Sequence, residues 1–167
     1  MKRFFFALLL LAGLTTAALA ADTKPADKDG AIQMAESGWQ TRCEKNDAKK
    51  CEAYDFLGVK DSKSRIAEFA VAFPESKSVA RGVIILPLGI LLESGVNMSV
   101  DDGKPYAFKV RYCTEAGCFA YIKMESALLE TMKKGTNIKF QLKSIDGSNI
   151  NLVLALEGFG KALKQIQ

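Results

Sequence analysis

The chain has 167 residues, with 23 Lys or Arg against 19 Asp or Glu for a net charge of +4, and it contains no histidine. The lysines are scattered and no basic helix or aromatic ladder accompanies them, so nucleic-acid binding has little support. The missing histidine removes the commonest general base and the commonest metal ligand. The length is that of one domain, enough to bury about two-thirds of the unfolded chain's surface.

The N-terminus reads as a secretory signal. Lys2 and Arg3 form a basic start, Phe4 to Leu14 an apolar run, and Ala18-Leu19-Ala20 a small-residue cleavage site, which predicts removal of residues 1–20 and a periplasmic or secreted product. The apolar run is about half of the roughly 20 residues needed to span a bilayer, and no cysteine beside the cleavage site marks a lipoprotein. Cleavage takes Lys2 and Arg3 away and leaves a net charge of about +2. Residues 21–37, rich in Ala, Asp and Lys without apolar period, read as a flexible leader. The domain is expected over 38–167.

From Gly38 the pattern turns to the two-residue period of half-buried strands. In "GWQTRC" Trp39, Thr41 and Cys43 alternate with Gln40 and Arg42; "KCEAYDFLG" follows; in "SRIAEFAVAF" Phe69, Val71 and Phe73 oppose Glu68 and Ala70. Glu68 is a carboxylate in an apolar strand with no partner visible in the sequence. The apolar stretch from Val79 to Val100 is broken by Pro87 and Gly89, which predicts two strands, 79–86 and 91–100, joined by a bend. Asp102-Gly103 and Asp146-Gly147 read as hairpin turns between alternating runs. Asp101, Asp102 and Glu115 read as solvated turn or loop residues. Two helices interrupt the strands. "SALLETMKKG" has Ser126 as N-cap, an apolar face of Leu128, Leu129 and Met132, and Gly135 as its stop. "GFGKALKQIQ" puts Phe159, Leu163 and Ile166 on one face, to lie as a lid on the sheet. Close, regular strands with hairpin turns argue for an antiparallel sandwich or barrel.

Four cysteines in an exported chain imply disulfides. Cys113 and Cys118 enclose four residues ending in Gly117, and Cys43 and Cys51 flank a polar loop, so local pairing, 43 with 51 and 113 with 118, is preferred among three connectivities. A thioredoxin-type redox site needs two intervening residues at a helix N-terminus, and a zinc site needs short spacings and a reducing compartment. Neither pattern is present. No nucleophile elbow, phosphate loop or acid/base pair stands out, so no catalytic residue, metal ligand or cofactor is assigned.

The ordered string "GWQTRC", "CEAY", "LPLGILLESGVNMSVDDGK", "YCTEAGCFAYI", "LLETMKKG" and "LEGFGKAL" resembles the invasion-associated locus B family of exported bacterial proteins. The resemblance covers about residues 38–166. It implies an all-β domain of immunoglobulin-like antiparallel sandwich type, here with a short inserted helix and a C-terminal helix, located in the periplasm or envelope. In the family pattern a glutamine follows the Cys-Glu pair by three places, where this chain has Asp55.

The function expected is non-enzymatic: binding of a protein or cell-surface partner, with an envelope or outer-membrane association that needs no membrane span. The candidate surface is the apolar bend, with Leu86, Leu88, Ile90 and Leu91, together with Thr114 and Glu115 of the stapled loop. The competing reading of the bend is core. A small-ligand carrier, with a pocket inside the sandwich or in the seam under the C-terminal helix, a stress-related module and a thiol oxidoreductase are the alternative functions.

Overall fold

A computed structural model describes residues 34–35, 38–45, 47–60, 64–74 and 79–167. The expected signal and most of the leader lie outside these residues. The elements in chain order are β1 (Met34–Ala35), β2 (Gln40–Glu44), β3 (Asp47–Val59), β4 (Arg65–Ala72), β5 (Ala80–Leu86), a single 3-10 turn (Leu92–Ser94), β6 (Val96–Val100), β7 (Tyr106–Phe108), β8 (Val110–Thr114), β9 (Gly117–Met124), α1 (Ser126–Lys134), β10 (Asn137–Lys143), β11 (Asn149–Ala155) and α2 (Phe159–Gln165). β1, within the stretch read as leader, pairs Met34 with Val59 and Ala35 with Gly58, so strand pairing begins upstream of Gly38.

The strands form two antiparallel sheets, so the all-β expectation holds. One runs β1-β3-β4-β5-β9-β8, with β2 also on β3; the other runs β11-β10-β6-β7. Alternation sends one set of side chains from each strand into the core: Phe69 and Val71 from β4, Ile84 and Leu86 from β5, Ala120 and Ile122 from β9, Met98 from β6, Phe140 from β10 and Leu152 from β11. The two helices add Leu128, Leu129 and Met132 from α1 and Phe159 and Leu163 from α2. Trp39 meets Phe159 edge-on at 4.6 Å and Phe69 at 6.0 Å, and Phe69 meets Phe140 at 5.8 Å. These four rings come from the start of β2, both sheets and α2, and edge-to-face pairs contribute about 0.5–1.5 kcal/mol each beyond their burial.

Three local expectations are corrected. The strand expected over 91–100 is shortened to β6, because the chain leaves one sheet at Pro87 and enters the other only after the 3-10 turn. Ser126 is the first helical residue of α1; the N-cap is Glu125, with no side-chain cap bond. The Asp101 carboxylate is not merely solvated: it accepts the backbone N–H groups of Asn137 (2.9 Å) and Thr136, tying the β6–β7 turn to the start of β10. Gly135 does end α1, and for a packing reason. Its φ is −78°, and a Cβ there would collide with Val100 Cγ1.

Candidate binding surface

Register brings the two stretches singled out in the sequence to one end of the molecule. Leu86, the last residue of β5, pairs with Cys118 in β9, and Cys118 is bonded to Cys113 across the β8–β9 turn. Gly117 closes this turn with φ 132°, and a Cβ on it would lie 2.5 Å from the Leu86 carbonyl oxygen, so the stapled loop rests directly on the end of β5. At the loop tip Thr114 and Glu115 are exposed, and Thr114 Oγ1 accepts the Ala116 N–H at 3.2 Å.

The bend that follows β5 is anchored on the other sheet. Leu91 donates its N–H to Lys143 O (2.8 Å), Ile90 bridges to Ser144, and Ile145 donates its N–H to Gly89 O (3.0 Å). These bonds place the β10–β11 turn beside the bend. Leu88 is 57% exposed, Leu92 48% and Ile145 74%, although large apolar side chains are usually withdrawn from water. The candidate residues therefore divide. Leu86 and Ile90 are buried core and leave the candidate surface, because the even positions of β5 face inward and Ile90 bridges the sheets; Leu91 is half-buried; Leu88, Thr114 and Glu115 face solvent.

Ile145 was missed, although an isoleucine immediately before Asp-Gly in an otherwise polar turn is a readable signal. The turn itself is tightly held. The Asp146 carboxylate accepts the Ser148 N–H at 2.9 Å and the Ser144 hydroxyl. Those bonds, the Ser144 one foremost, hold its pKa down to about 2.

The outward face of the larger sheet holds a second feature the sequence did not disclose. Glu68 is only 2% exposed yet points away from the core, paired by register with Phe56 and Ile85. Arg42 Nη2 donates to its Oε1 at 2.5 Å and Arg65 to its Oε2, while Arg42 also bonds Glu52. The guanidiniums lie over aromatic rings, Arg42 at 4.2 Å from the Tyr54 centroid and Arg65 at 4.6 Å from that of Phe56. A carboxylate with two cationic hydrogen-bond partners is satisfied, which suits a structural clamp.

Cys43 and Cys51 are bonded across the β2–β3 hairpin, so both local disulfides are present and all four cysteines are paired. The first disulfide lines a cleft of about 590 Å³ with Arg42, Lys50, Phe73 and Ile166. Thr41 Oγ1 donates to Gln165 Oε1 at 2.7 Å, which holds the end of α2 beside β2 near this cleft. Asp55, at the position where the family pattern has glutamine, is buried and accepts the Phe56 N–H at 2.7 Å. Among the described residues no group of three or more Cys, Asp or Glu is placed to hold a metal ion, and no helix is long and apolar enough to cross a membrane. Two disulfides fit a compartment outside the reducing cytoplasm.

Residues 39–167 match the sequence profile of the family described as invasion associated locus B (IalB) protein. An invasion protein B homolog of Brucella abortus is 30% identical over 87 residues, covering 52% of this chain and 50% of the relative. The chain thus spans about half the length of that relative in the match. Invasion protein B of Bartonella bacilliformis is 23% identical over 175 aligned positions, 96% of this chain and 94% of the relative. The crystal structure of invasion associated protein B from Bartonella henselae superposes with a TM-score of 0.69 at 24% identity, covering 80% of this chain and 95% of that one. That likeness establishes the fold.

Proposed function

The chain belongs to the invasion associated locus B family, and from that premise we propose that it is an exported, non-enzymatic envelope protein that acts by binding a protein or cell-surface partner. One observation carries the reading. The bend, the stapled β8–β9 turn and the β10–β11 turn meet at one end of the molecule and leave Leu88, Leu92 and Ile145 in solvent. Interface anchors are apolar side chains held on rigid backbone, which limits the entropy lost on binding. Here a disulfide and interstrand hydrogen bonds supply the rigidity, and Thr114 and Glu115 supply a polar rim. Residues 1–20 serve as the export signal in this reading, so the mature N-terminus is Ala21, and envelope association is peripheral.

The experiment is partner capture from intact envelope and from host-cell surface, with wild type and with a Leu88→Asp, Ile145→Asp double variant of unchanged melting temperature. Loss of the captured partner in the double variant supports the surface. Retention of the same partner excludes it.

A second reading has its own observation, the cleft of about 590 Å³ lined by the Cys43–Cys51 disulfide with Ile166 at its rim. It suits a small-ligand carrier, and a disulfide in the lining also admits thiol exchange. Native mass spectrometry showing a co-purified small molecule would favour the carrier, and turnover in an insulin-reduction assay would favour the oxidoreductase.

A further inference from the structure

At the opposite end of β5 from the bend, the outward face of the larger sheet gathers three cationic side chains. Arg81 in β5 and Lys123 in β9 are direct cross-strand partners. Like charges placed opposite each other destabilise a sheet. Lys123 forms a loose ion pair with Glu125 at 3.6 Å, both well exposed. A bulge in β8 between Val110 and Tyr112 inserts Arg111 as an extra residue, and bulges re-aim side chains in this way. Arg111 thereby joins Arg81 and Lys123 around a cleft of about 680 Å³ that Tyr121 also lines. Neither Arg81 nor Arg111 has a carboxylate partner among the described residues.

Tyr121, which lines the cleft, connects it to an aromatic edge beside it. Tyr112, next to Arg111 in β8, stacks on Phe119 with centroids 5.0 Å apart and planes at 20°, which covers one ring face, and the residue remains 46% exposed. Its hydroxyl bonds that of Tyr121 at 2.7 Å. In such a pair the accepting phenol keeps its own proton free to donate to a ligand. That bond also raises the Tyr121 pKa above the ordinary phenol value.

We propose that this cleft binds an anionic saccharide, with a sulfate or phosphate ester held by Arg81, Arg111 and Lys123 and the sugar ring lying on the open face of Tyr112. Guanidinium groups match tetrahedral oxyanions in bidentate geometry. The ring offers an apolar face to the C–H side of a pyranose, and the phenol pair offers a donor to its hydroxyls. Toward the bend the positive charge does not continue along β5 and β9. The next outward positions are Val83 and Ile85 in β5 and Tyr121 and Phe119 in β9, and Arg42 and Arg65 farther across the face are engaged with Glu68, which does not make a track for a nucleic-acid backbone, whereas a single esterified sugar can reach the cleft and the Tyr112 ring beside it.

The test is titration calorimetry of the purified protein with a sulfated heparin octasaccharide, the same octasaccharide desulfated, a deacylated lipopolysaccharide core bearing phosphates, and a single-stranded oligonucleotide. The proposal expects binding of the sulfated or the phosphorylated saccharide, weakened by salt, with no binding of the desulfated one. The stronger of the two identifies the source of the ester. An Arg81→Gln, Arg111→Gln variant should bind at least about tenfold more weakly, as expected for losing charged hydrogen bonds. A control that removes the same charge from the other sheet, Lys139→Gln with Lys143→Gln, should bind as wild type. Melting temperatures of both variants certify the fold. No binding of either charged saccharide, equal weakening by the control, or equal or tighter binding of the oligonucleotide would overturn the assignment.

Discussion

Trp39 donates its indole N–H to the carbonyl oxygen of Ala155 at 2.9 Å, across 116 residues of chain. The bond ties the entrance of β2 to the end of β11, and so one sheet to the other, while the ring fills the space between Phe69 and Phe159. Trp39→Phe keeps an aromatic ring and leaves the Ala155 carbonyl without this partner, so a loss of about 1–3 kcal/mol is expected. Trp39→Ala also opens a cavity and should lose about 3–5 kcal/mol. Urea unfolding followed by circular dichroism measures both, and the slope with denaturant should stay unchanged. Equal, small losses for the two variants would show that the indole site is not part of the cooperative core.

The Glu68 clamp predicts non-additivity. Either Arg42 or Arg65 alone still gives the buried carboxylate a cation, so Arg42→Ala and Arg65→Ala should each destabilise modestly. The double variant leaves a buried charge unpaired, for which losses of about 3–5 kcal/mol are typical. It should therefore exceed the sum of the singles, and a double-mutant cycle reads the excess. Adding Glu68→Gln to the double variant should recover much of the loss, because it removes the uncompensated charge while keeping the shape. Additive singles with no rescue by Glu68→Gln would place the stabilisation in the Tyr54 and Phe56 stacking.

What was legible in the sequence is what is local. Residues 137–155 alternate cleanly around Asp146-Gly147, and a two-residue period with a hairpin turn fixes the β10–β11 register before any tertiary contact is known. The spacing of Cys113 and Cys118 announced the staple for the same reason. Glu68 was opaque because its cations come from β2 and from the start of its own strand, and Arg42 reaches it only after β3 has aligned between them. The apolar run 86–92 was opaque because burial there depends on which sheet the chain joins next; Ile90 is buried by the bridge to Ser144, and Leu88, two residues away, is not. The convergence of the bend with the stapled turn depends on β5 pairing with β9, 32 residues apart at Leu86 and Cys118.

Asp146 should titrate anomalously low. Its hydrogen bonds are made to the ionised carboxylate, so the folded pKa of about 2 lies below the ordinary 3.8. A depressed folded pKa means that the turn's stabilisation is present above the unfolded value and is lost as pH falls from about 4 through about 2. Carboxyl-carbon NMR titration should place Asp146 below the exposed, unbonded carboxylates, and Asp146→Asn should abolish that low transition. Amide exchange at Ser148 and Gly147 should quicken in the variant. A midpoint near 4 for Asp146 would show that the turn is open in solution.

The staple between Cys113 and Cys118 links fold to proposed function. With both sulfurs bonded, alkylation before reduction should label no cysteine, and non-reducing proteolysis should release both residues in one peptide. Cys113→Ser with Cys118→Ser frees a short loop, for which the chain-entropy model gives a loss of about 2 kcal/mol. The strands should survive, since β9 remains paired with β5 from Ala80–Met124 to Leu86–Cys118. Thr114 and Glu115 would then lose their fixed position against the end of β5, and a surface that binds through rigid backbone should lose affinity by more than the stability change implies. Partner capture at a temperature where the variant is fully folded separates the two effects. Undiminished capture with a mobile loop would remove Thr114 and Glu115 from the binding surface and leave Leu88, Leu92 and Ile145 to account for it.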